Sequence, residues 1–379
     1  MSLILSEEQE LLKQTANEFI GEHVPITHLR ELRDQADAIG FSRDLWKQMG
    51  ELGWTGILLP EEYGGSELGM AELGVVLEEC GRSLAPYPFL STAVMGATAI
   101  LKGGSESQKS AILPAIAQGE LVIGVAFQET PRFDPYRIRT TAEATQEGFR
   151  LSGEKIFVWD GHVADHLIVV ARTGGEDHAR DGLSLFLVET GASGLSITRT
   201  QMVDSRNAAL VKLEDISVPK EALLGEINQG ADLLDTLLER ATVALSAELL
   251  GISQEIFERT LAYLKTREQF GTLIGTFQAL KHRAANLFCE VELTHSIVRD
   301  ALRAVDEERP HRERIVSAAK ARASDTASLV CREGLQMHGG IGMTDEVDIG
   351  LFLKRAKAGE LSLGDAAFHR NRFAEFTSF

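Results

Sequence analysis

The chain changes its hydrophobic period twice, and these two changes limit its fold more than any other feature. Up to Gly119 the apolar residues recur at helical spacing. Ser6-Glu7-Glu8-Gln9 is a capping-box pattern, and Leu12, Ala16, Phe19 and Ile20 then mark one apolar face. Further helical patterns run over 42–52, 70–82, 91–101 and 106–118, punctuated by Gly64-Gly65, Pro86, Pro88 and Gly103-Gly104. After Gly119 the period falls to two. Segments 121–128, 140–145, 149–159, 166–172, 183–189, 196–201 and 208–217 read as strands, separated by turn residues such as Gly174-Gly175 and Asp181-Gly182. From Ala231 the helical period returns: Leu233, Leu237, Ala241, Ala244, Leu245, Leu249, Ile252, Ile256 and Leu264 mark one helix of roughly ten turns. A helix of that length is expected to belong to a bundle. Patterns over 278–309, 312–338 and from about Val347 supply further members. The expected fold class is α+β: an N-terminal helical domain (1–120), a middle β-barrel-like domain (121–225) and a C-terminal four-helix bundle (226–379).

At 379 residues the chain is long enough for two or three layers around a large core. Its net charge of -18 argues against a nucleic-acid partner, which needs a basic face, and against an anionic membrane surface. No apolar run approaches membrane-spanning length. Cys80, Cys289 and Cys331 are widely spaced and form no CxxC pattern, so neither a disulfide framework nor a zinc site is expected and a reducing compartment fits best. Glu7, Glu8 and Glu10 near the start do not suit a signal peptide; a cytoplasmic location is the expectation.

Two stretches in the C-terminal third carry chemistry. Arg267-Glu268-Gln269-Phe270-Gly271 leads through Gly275 to Gln278, and Gln336-Met337-His338-Gly339-Gly340 lies further along. Arginine is the side chain suited to a pyrophosphate, and glycines let backbone approach closely. Arg267 and Gln278, eleven residues apart, with a Gln-x-x-Gly-Gly turn, have the groups to hold the pyrophosphate and adenosine of a flavin dinucleotide. Alone, Arg267 reads as a solvated cation at a helix end. His338 has no second metal-type residue beside it and reads as structural.

With these motifs and the order helices, β domain, helical bundle, the chain resembles the acyl-CoA dehydrogenase family from end to end. The resemblance implies FAD as cofactor, lying between the β domain and the bundle, and an acyl-CoA substrate. It implies that Arg267 and Gln278 reach the pyrophosphate of a flavin held by a neighbouring subunit, that Phe270 packs on the adenine side, and that Gln336, Gly339 and Gly340 line the adenosine. The family's Thr-Glu-Pro run and the glycine loop after it appear here as Gln128-Glu129-Thr130-Pro131-Arg132-Phe133-Asp134. Gln128 then faces the flavin pyrimidine, and the glycine loop is gone. The family's Trp-Ile-Thr-Asn-Gly appears as Phe157-Val158-Trp159-Asp160-Gly161, so Trp159 replaces the threonine that donates to the flavin ring. Trp159 reads either as a group beside that ring or as a core residue of the β domain.

Dehydrogenation of an acyl thioester needs a base for the α-proton. At the commonest family position for that base the chain has Leu363, with Asp365 at the following threonine position; Glu360, three residues earlier, faces another way. A minority of the family, including members acting on branched acyl groups, carries the base on the long helix as the Glu of a Glu-Arg pair. Leu238-Glu239-Arg240 stands there, which implies Glu239 as base and Arg240 as a neighbouring electrostatic group. Glu239 shares a helix face with Thr236, Val243 and Ser246. The bare-residue alternative is a solvated helix glutamate.

The run 336–344 and the ending Phe368-His369-Arg370 are similar to a bacterial branch that includes pimeloyl-CoA and steroid side-chain dehydrogenases. This implies a homotetramer or an α2β2 heterotetramer, with electrons passing to an electron-transfer flavoprotein. The departures at 130–134 and at Trp159 leave open a partly degenerate, non-catalytic subunit of such a heterotetramer. A flavin monooxygenase or nitroalkane-type oxidase on the same fold is the third reading.

Overall fold

The structure, a computed structural model, describes residues 4–377. In chain order it has helices α1 (Glu7–His23), α2 (Ile26–Asp34), α3 (Arg43–Glu51), α4 (Met70–Ser83), α5 (Ala97–Gly103) and α6 (Glu106–Ala117). Strands follow: β1 (Ile123–Ala126), β2 (Thr141–Ala144), β3 (Gly148–Trp159), β4 (His166–Arg172), β5 (Leu183–Glu189), β6 (Leu195–Gln201), β7 (Asn207–Pro219) and β8 (Leu223–Leu224). After them come α7 (Gly230–Thr266), a hairpin of β9 (Glu268–Gln269) and β10 (Thr272–Leu273), then α8 (Gln278–Asp306), α9 (Arg312–His338), α10 (Ile349–Leu361) and α11 (Ala366–Phe376). The chain divides into two compact units. One takes Leu32–Gly69 and Pro86–Ala241; the other takes the chain up to Glu31, Met70–Ala85 and everything from Thr242 onward.

The first unit is built on one sheet in the order β6-β7-β3-β2-β4-β5-β8, with β1 parallel to β4. The barrel-like closure expected from the sequence does not form. β1 and β2 share one flank of β4, β2 touching it only at Thr141 opposite Arg172, and no pairing joins β6 to β8. The alternating pattern identifies strands but not whether edges meet; here the sheet stays open. The long β3–β7 pair carries irregularities at Leu151/Gly153 and Lys155/Val158, which locally sharpen its twist. The segment expected as one helix over 91–101 splits. Phe89–Gly96 is a π-helical stretch, wholly buried, that runs into α5. Its polar side chains explain the position: Thr92 Oγ1 donates to Ile123 O (3.3 Å) and accepts from Ile123 N (3.0 Å), and Ser91 Oγ donates to Asp160 Oδ2 (2.5 Å). Trp46, on α3, and Trp54, just after it, are fully buried, with Trp46 edge-on to Phe89.

The second unit is helical. α1 begins at the expected capping box, where Ser6 and Gln9 exchange side-chain and backbone bonds. α4 starts on a borrowed cap: the carboxylate of Asp306, at the end of α8, accepts from the backbone N–H groups of Met70 (2.6 Å) and Ala71 (2.9 Å). α4 crosses α7 at glycines. A methyl placed on Gly81 would lie 2.2 Å from Glu248 O, and one on Gly251 would lie 1.9 Å from Glu78 O. That near-backbone contact is why neither position holds a side chain. At the other end of the unit the buried ammonium of Lys320 donates to Ser324 Oγ (3.0 Å), Glu360 O (3.1 Å) and Gly364 O (3.0 Å), fixing the turn between α10 and α11.

Candidate functional site

The expected site residues fall into two groups, one in each unit. In the helical unit, α7 ends at Thr266, and Phe270-Gly271 form the two-residue turn of the β9–β10 hairpin. Both residues have positive φ, +56° and +76°, the combination a tight two-residue hairpin turn requires. Phe270 takes the left-handed strain because the turn places its ring at the tip: it is 92% exposed, with its ring edge-on to Phe277, 6.1 Å away between centres. Arg267 is exposed, and its backbone carbonyl accepts from Ile274 N. Gln278 opens α8 and is exposed as well.

The Gln336–Gly340 segment is brought to this end of α7 by one contact. Tyr263 stacks on His338 at 4.3 Å, and its hydroxyl donates to His338 O (3.3 Å). His338 Nδ1 in turn meets Gly334 O at 2.7 Å, and burial lowers its pKa, so the imidazole is a neutral structural ring. α9 then ends on Gly339 in the left-handed region, at φ +65°. Gln336, Gly339 and Gly340 face solvent, and methyls placed on the two glycines would meet nothing within 4 Å. An exposed guanidinium, an exposed aromatic ring, two amides and a bare glycine backbone thus share one end of the unit. That donor set fits a pyrophosphate and a nucleoside.

The other group sits in the sheet unit. Gln128 lies beside the β3 irregularity, where its carbonyl accepts from Ile156 N, and its side-chain amide donates to Thr130 O (2.8 Å). The amide nitrogen is therefore committed locally. Trp159 ends β3 opposite Ala208. It is half-buried, so it is not a core residue of the sheet, and its indole N–H has no acceptor among the described residues. Its neighbours fix it: Phe157 and Asp160 both take positive φ, and Asp160 is anchored to Ser91 in the π-helical stretch.

Glu239 lies in the third turn of α7 and is 6% exposed. A carboxylate so far from water is uncommon outside ion-paired or functional settings, which removes the reading as a solvated helix glutamate. Arg240 is half-buried, with Nη1 3.4 Å from Thr98 Oγ1 on α5. Leu363 is buried and apolar in the α10–α11 turn. Glu360 Oε1 accepts from Lys357 (2.8 Å), a surface pairing.

Sequence reasoning missed three parts of this unit. Glu129 and the fully buried Lys155 form an ion pair at 2.6 Å, and Glu129 also accepts from Arg139 N (2.7 Å), Thr140 N (3.0 Å) and Thr140 Oγ1 (2.7 Å). Burial alone would raise the Glu129 carboxyl; Lys155 and these donors hold it below its ordinary value. Arg172, at the end of β4, donates to five backbone carbonyls: Tyr136, Ile138, Gly174, Ala179 and Asp181. It thereby organises the loops on either side. Tyr136, Arg180, Asp232 and Asp235 join these loops to α7. No local spacing announces any of these, because the partners are far apart in the chain.

Among the described residues no helix is long and apolar enough to cross a membrane, and no cluster of His, Cys, Asp and Glu is placed to hold a metal.

Residues 6–120 match the family model described as the acyl-CoA dehydrogenase N-terminal domain, 128–215 that of the middle domain, and 228–377 that of the C-terminal domain. The chain is 31% identical over 374 residues to mitochondrial isovaleryl-CoA dehydrogenase of Pongo abelii, covering 97% of this chain and 88% of that one. Among solved structures, a variant of the Tcur3481-Tcur3483 steroid ACAD is 31% identical, with a TM-score of 0.87 over 98% of both chains. The ChsE4-ChsE5 complex from Mycobacterium tuberculosis superposes with a TM-score of 0.90 at 26% identity, over 100% of this chain and 99% of that one.

Proposed function

Because the chain belongs to the acyl-CoA dehydrogenase family, we propose that it is an FAD-dependent oxidoreductase that introduces an α,β double bond into an acyl-CoA thioester, with Glu239 as the base. Membership supports the coarser statement, an oxidoreductase of acyl-CoA with FAD as cofactor. The observation that carries the finer one is the burial of Glu239 beside Arg240, together with the apolar Leu363 at the other family position.

FAD, when bound, supplies the acceptor for the β-hydride and its electron pair. The chain's own residues do the rest. Glu239 takes the α-proton as the α-C–H bond breaks and its electrons move into the new C=C bond. Arg240, the next residue, is a nearby electrostatic group whose guanidinium lies 3.4 Å from Thr98 Oγ1. Arg267 and Gln278 would hold a pyrophosphate, Phe270 the adenine, and Gln336, Gly339 and Gly340 the adenosine. Gln128 would meet the pyrimidine through its amide oxygen, and Trp159 the ring through its indole N–H. The exposure of Arg267 and Phe270 within a single chain suits a role toward the cofactor of a neighbouring copy, in a homotetramer or an α2β2 heterotetramer. An electron-transfer flavoprotein is the proposed electron acceptor.

A second reading, a degenerate subunit of a heterotetramer, is favoured by the departures from the family pattern at 130–134, where the glycine loop is missing, and at Trp159. One experiment separates the two. Purified Glu239→Gln retains bound flavin, seen as absorbance between about 350 and 500 nm, and loses its reduction by acyl-CoA by a factor of roughly a thousand or more. A variant whose flavin is reduced at the wild-type rate removes Glu239 as base.

A further inference from the structure

The 129–139 loop is fixed at both ends and held differently at its tip. At its start, Glu129 is locked to Lys155 and to the backbone of Arg139 and Thr140. At its end, Arg172 holds the carbonyls of Tyr136 (3.1 Å) and Ile138 (3.0 Å). Between these anchors Phe133 packs edge-on to Phe127. The Tyr136 side chain is tied outward by polar contacts. Tyr136 Oη donates to Asp235 Oδ1; Arg180 Nη1 donates to Tyr136 Oη and to Asp235 Oδ2; Arg180 Nη2 donates to Asp232 Oδ1 at 2.9 Å. The guanidinium also lies over the Tyr136 ring, 5.1 Å from its centre. A further pair, His178 Nδ1 and Asp134 Oδ2 at 3.2 Å, joins the same two loops.

The side chains of Arg180 and Asp235 are 46% and 30% exposed, so water competes for these contacts and each contributes little stability. A segment anchored by a buried ion pair at one end and by carbonyl bonds to Arg172 at the other, with a wet fastening between side chains, opens at the fastening. The place of the fastening matters. Asp235 precedes Glu239 by four residues, so the two carboxylates share one face of α7, a single turn apart. Tyr136 is therefore fastened to the helix face one turn before Glu239.

We propose that Tyr136 is a specificity-determining residue: clamped by Arg180 and Asp235, it limits the approach along α7 to Glu239, and a thioester with a bulky acyl group must open the clamp to enter. This rests on the dehydrogenation reading above. The ring and its hydroxyl act as a gate and take no part in the proton transfer. The effect falls on how tightly large substrates bind and leaves the limiting rate alone.

The test uses flavin-loaded Tyr136→Phe, which keeps the ring and its packing, and Asp235→Asn as a second variant. Anaerobic flavin reduction is followed with butyryl-CoA and with branched and ring-bearing acyl-CoAs. For the bulkiest thioester that reduces the flavin, the half-saturating concentration falls about five-fold, the effect of removing one hydrogen bond. For butyryl-CoA it stays within about two-fold, and limiting rates hold for both. An equal shift for all thioesters, or none, overturns the proposal. Hydrogen exchange at residues 129–139, which needs no turnover, separates its failure from that of the dehydrogenation reading. Exchange about five-fold faster in the variants, with no thioester reducing any of the proteins, overturns the reaction and with it the gate's substrate. Unchanged exchange overturns the clamp whatever the reaction.

Discussion

Nε2 of His369 donates to the carbonyl oxygen of Leu363 across 2.9 Å. Leu363 is in the left-handed region, at φ +56°, where a leucine is strained, and Gly364 follows at +94°. The turn holds because its carbonyls are taken from two sides, by His369 on α11 and by Lys320 on α9.

This turn has a pH signature. Burial and the nearby Lys320 push His369 down to about 3, and its Nδ1 is buried without a partner. A histidine lowered in the folded state takes its proton first in the unfolded chain. Its contribution is therefore full above the unfolded value of about 6.5 and lost as pH falls from there toward about 3. Comparing denaturant unfolding at about pH 7 and about pH 4, His369→Gln loses about 2–3 kcal/mol less than the wild type over that interval. Parallel pH profiles for the two proteins would refute this.

The crossing of α4 and α7 predicts a steric cost. Gly251→Ala places a methyl against the Glu78 carbonyl and forces the helices apart, lowering stability by about 1–3 kcal/mol. Gly350→Ala, where a methyl meets nothing, is the matched control and leaves the thermal midpoint unchanged or slightly raised.

Removing Lys155 leaves Glu129 buried with a charge that three remaining donors only partly offset. Lys155→Met destabilises by about 3–5 kcal/mol in denaturant unfolding. Adding Glu129→Gln recovers part of that loss, because the orphaned charge goes with it.

Trp159 predicts a spectroscopic and kinetic split. Trp159→Phe keeps an aromatic ring but has no N–H. Flavin remains bound, and its reduction by acyl-CoA slows about tenfold, the value of one hydrogen bond to a group that gains charge. An unchanged rate would return Trp159 to a packing role.

Much of this was legible in the sequence where the signal is local. The Ser6–Gln9 capping box, the long α7 and the succession of strands follow from spacing within a few residues of each other. The break of the last helix into α10 and α11 was not, because the polar hold on the carbonyls of Glu360 and Gly364 comes from Lys320, forty or more positions earlier. The π-helical Phe89–Gly96 looks like any apolar helix in one dimension; only the bonds from Ser91 and Thr92 to other segments select its wider winding. α2 escaped because it is only nine residues long, so its buried Ile26 and Leu29 make too short an apolar repeat to stand out among charges. Among the candidate residues, Arg267 and Gln336 stand out by motif and Glu239 by the family resemblance, whereas Arg172 and Tyr136 acquire meaning only once two loops are folded against each other.

The β9–β10 hairpin carries Phe270 outward on a two-residue turn, away from its own helices. If that ring serves a neighbour's dinucleotide, cofactor retention becomes a property of the assembly and not of the chain. Dilution would then bleach the protein as surely as a site mutation, and reconcentration with free FAD would restore its colour.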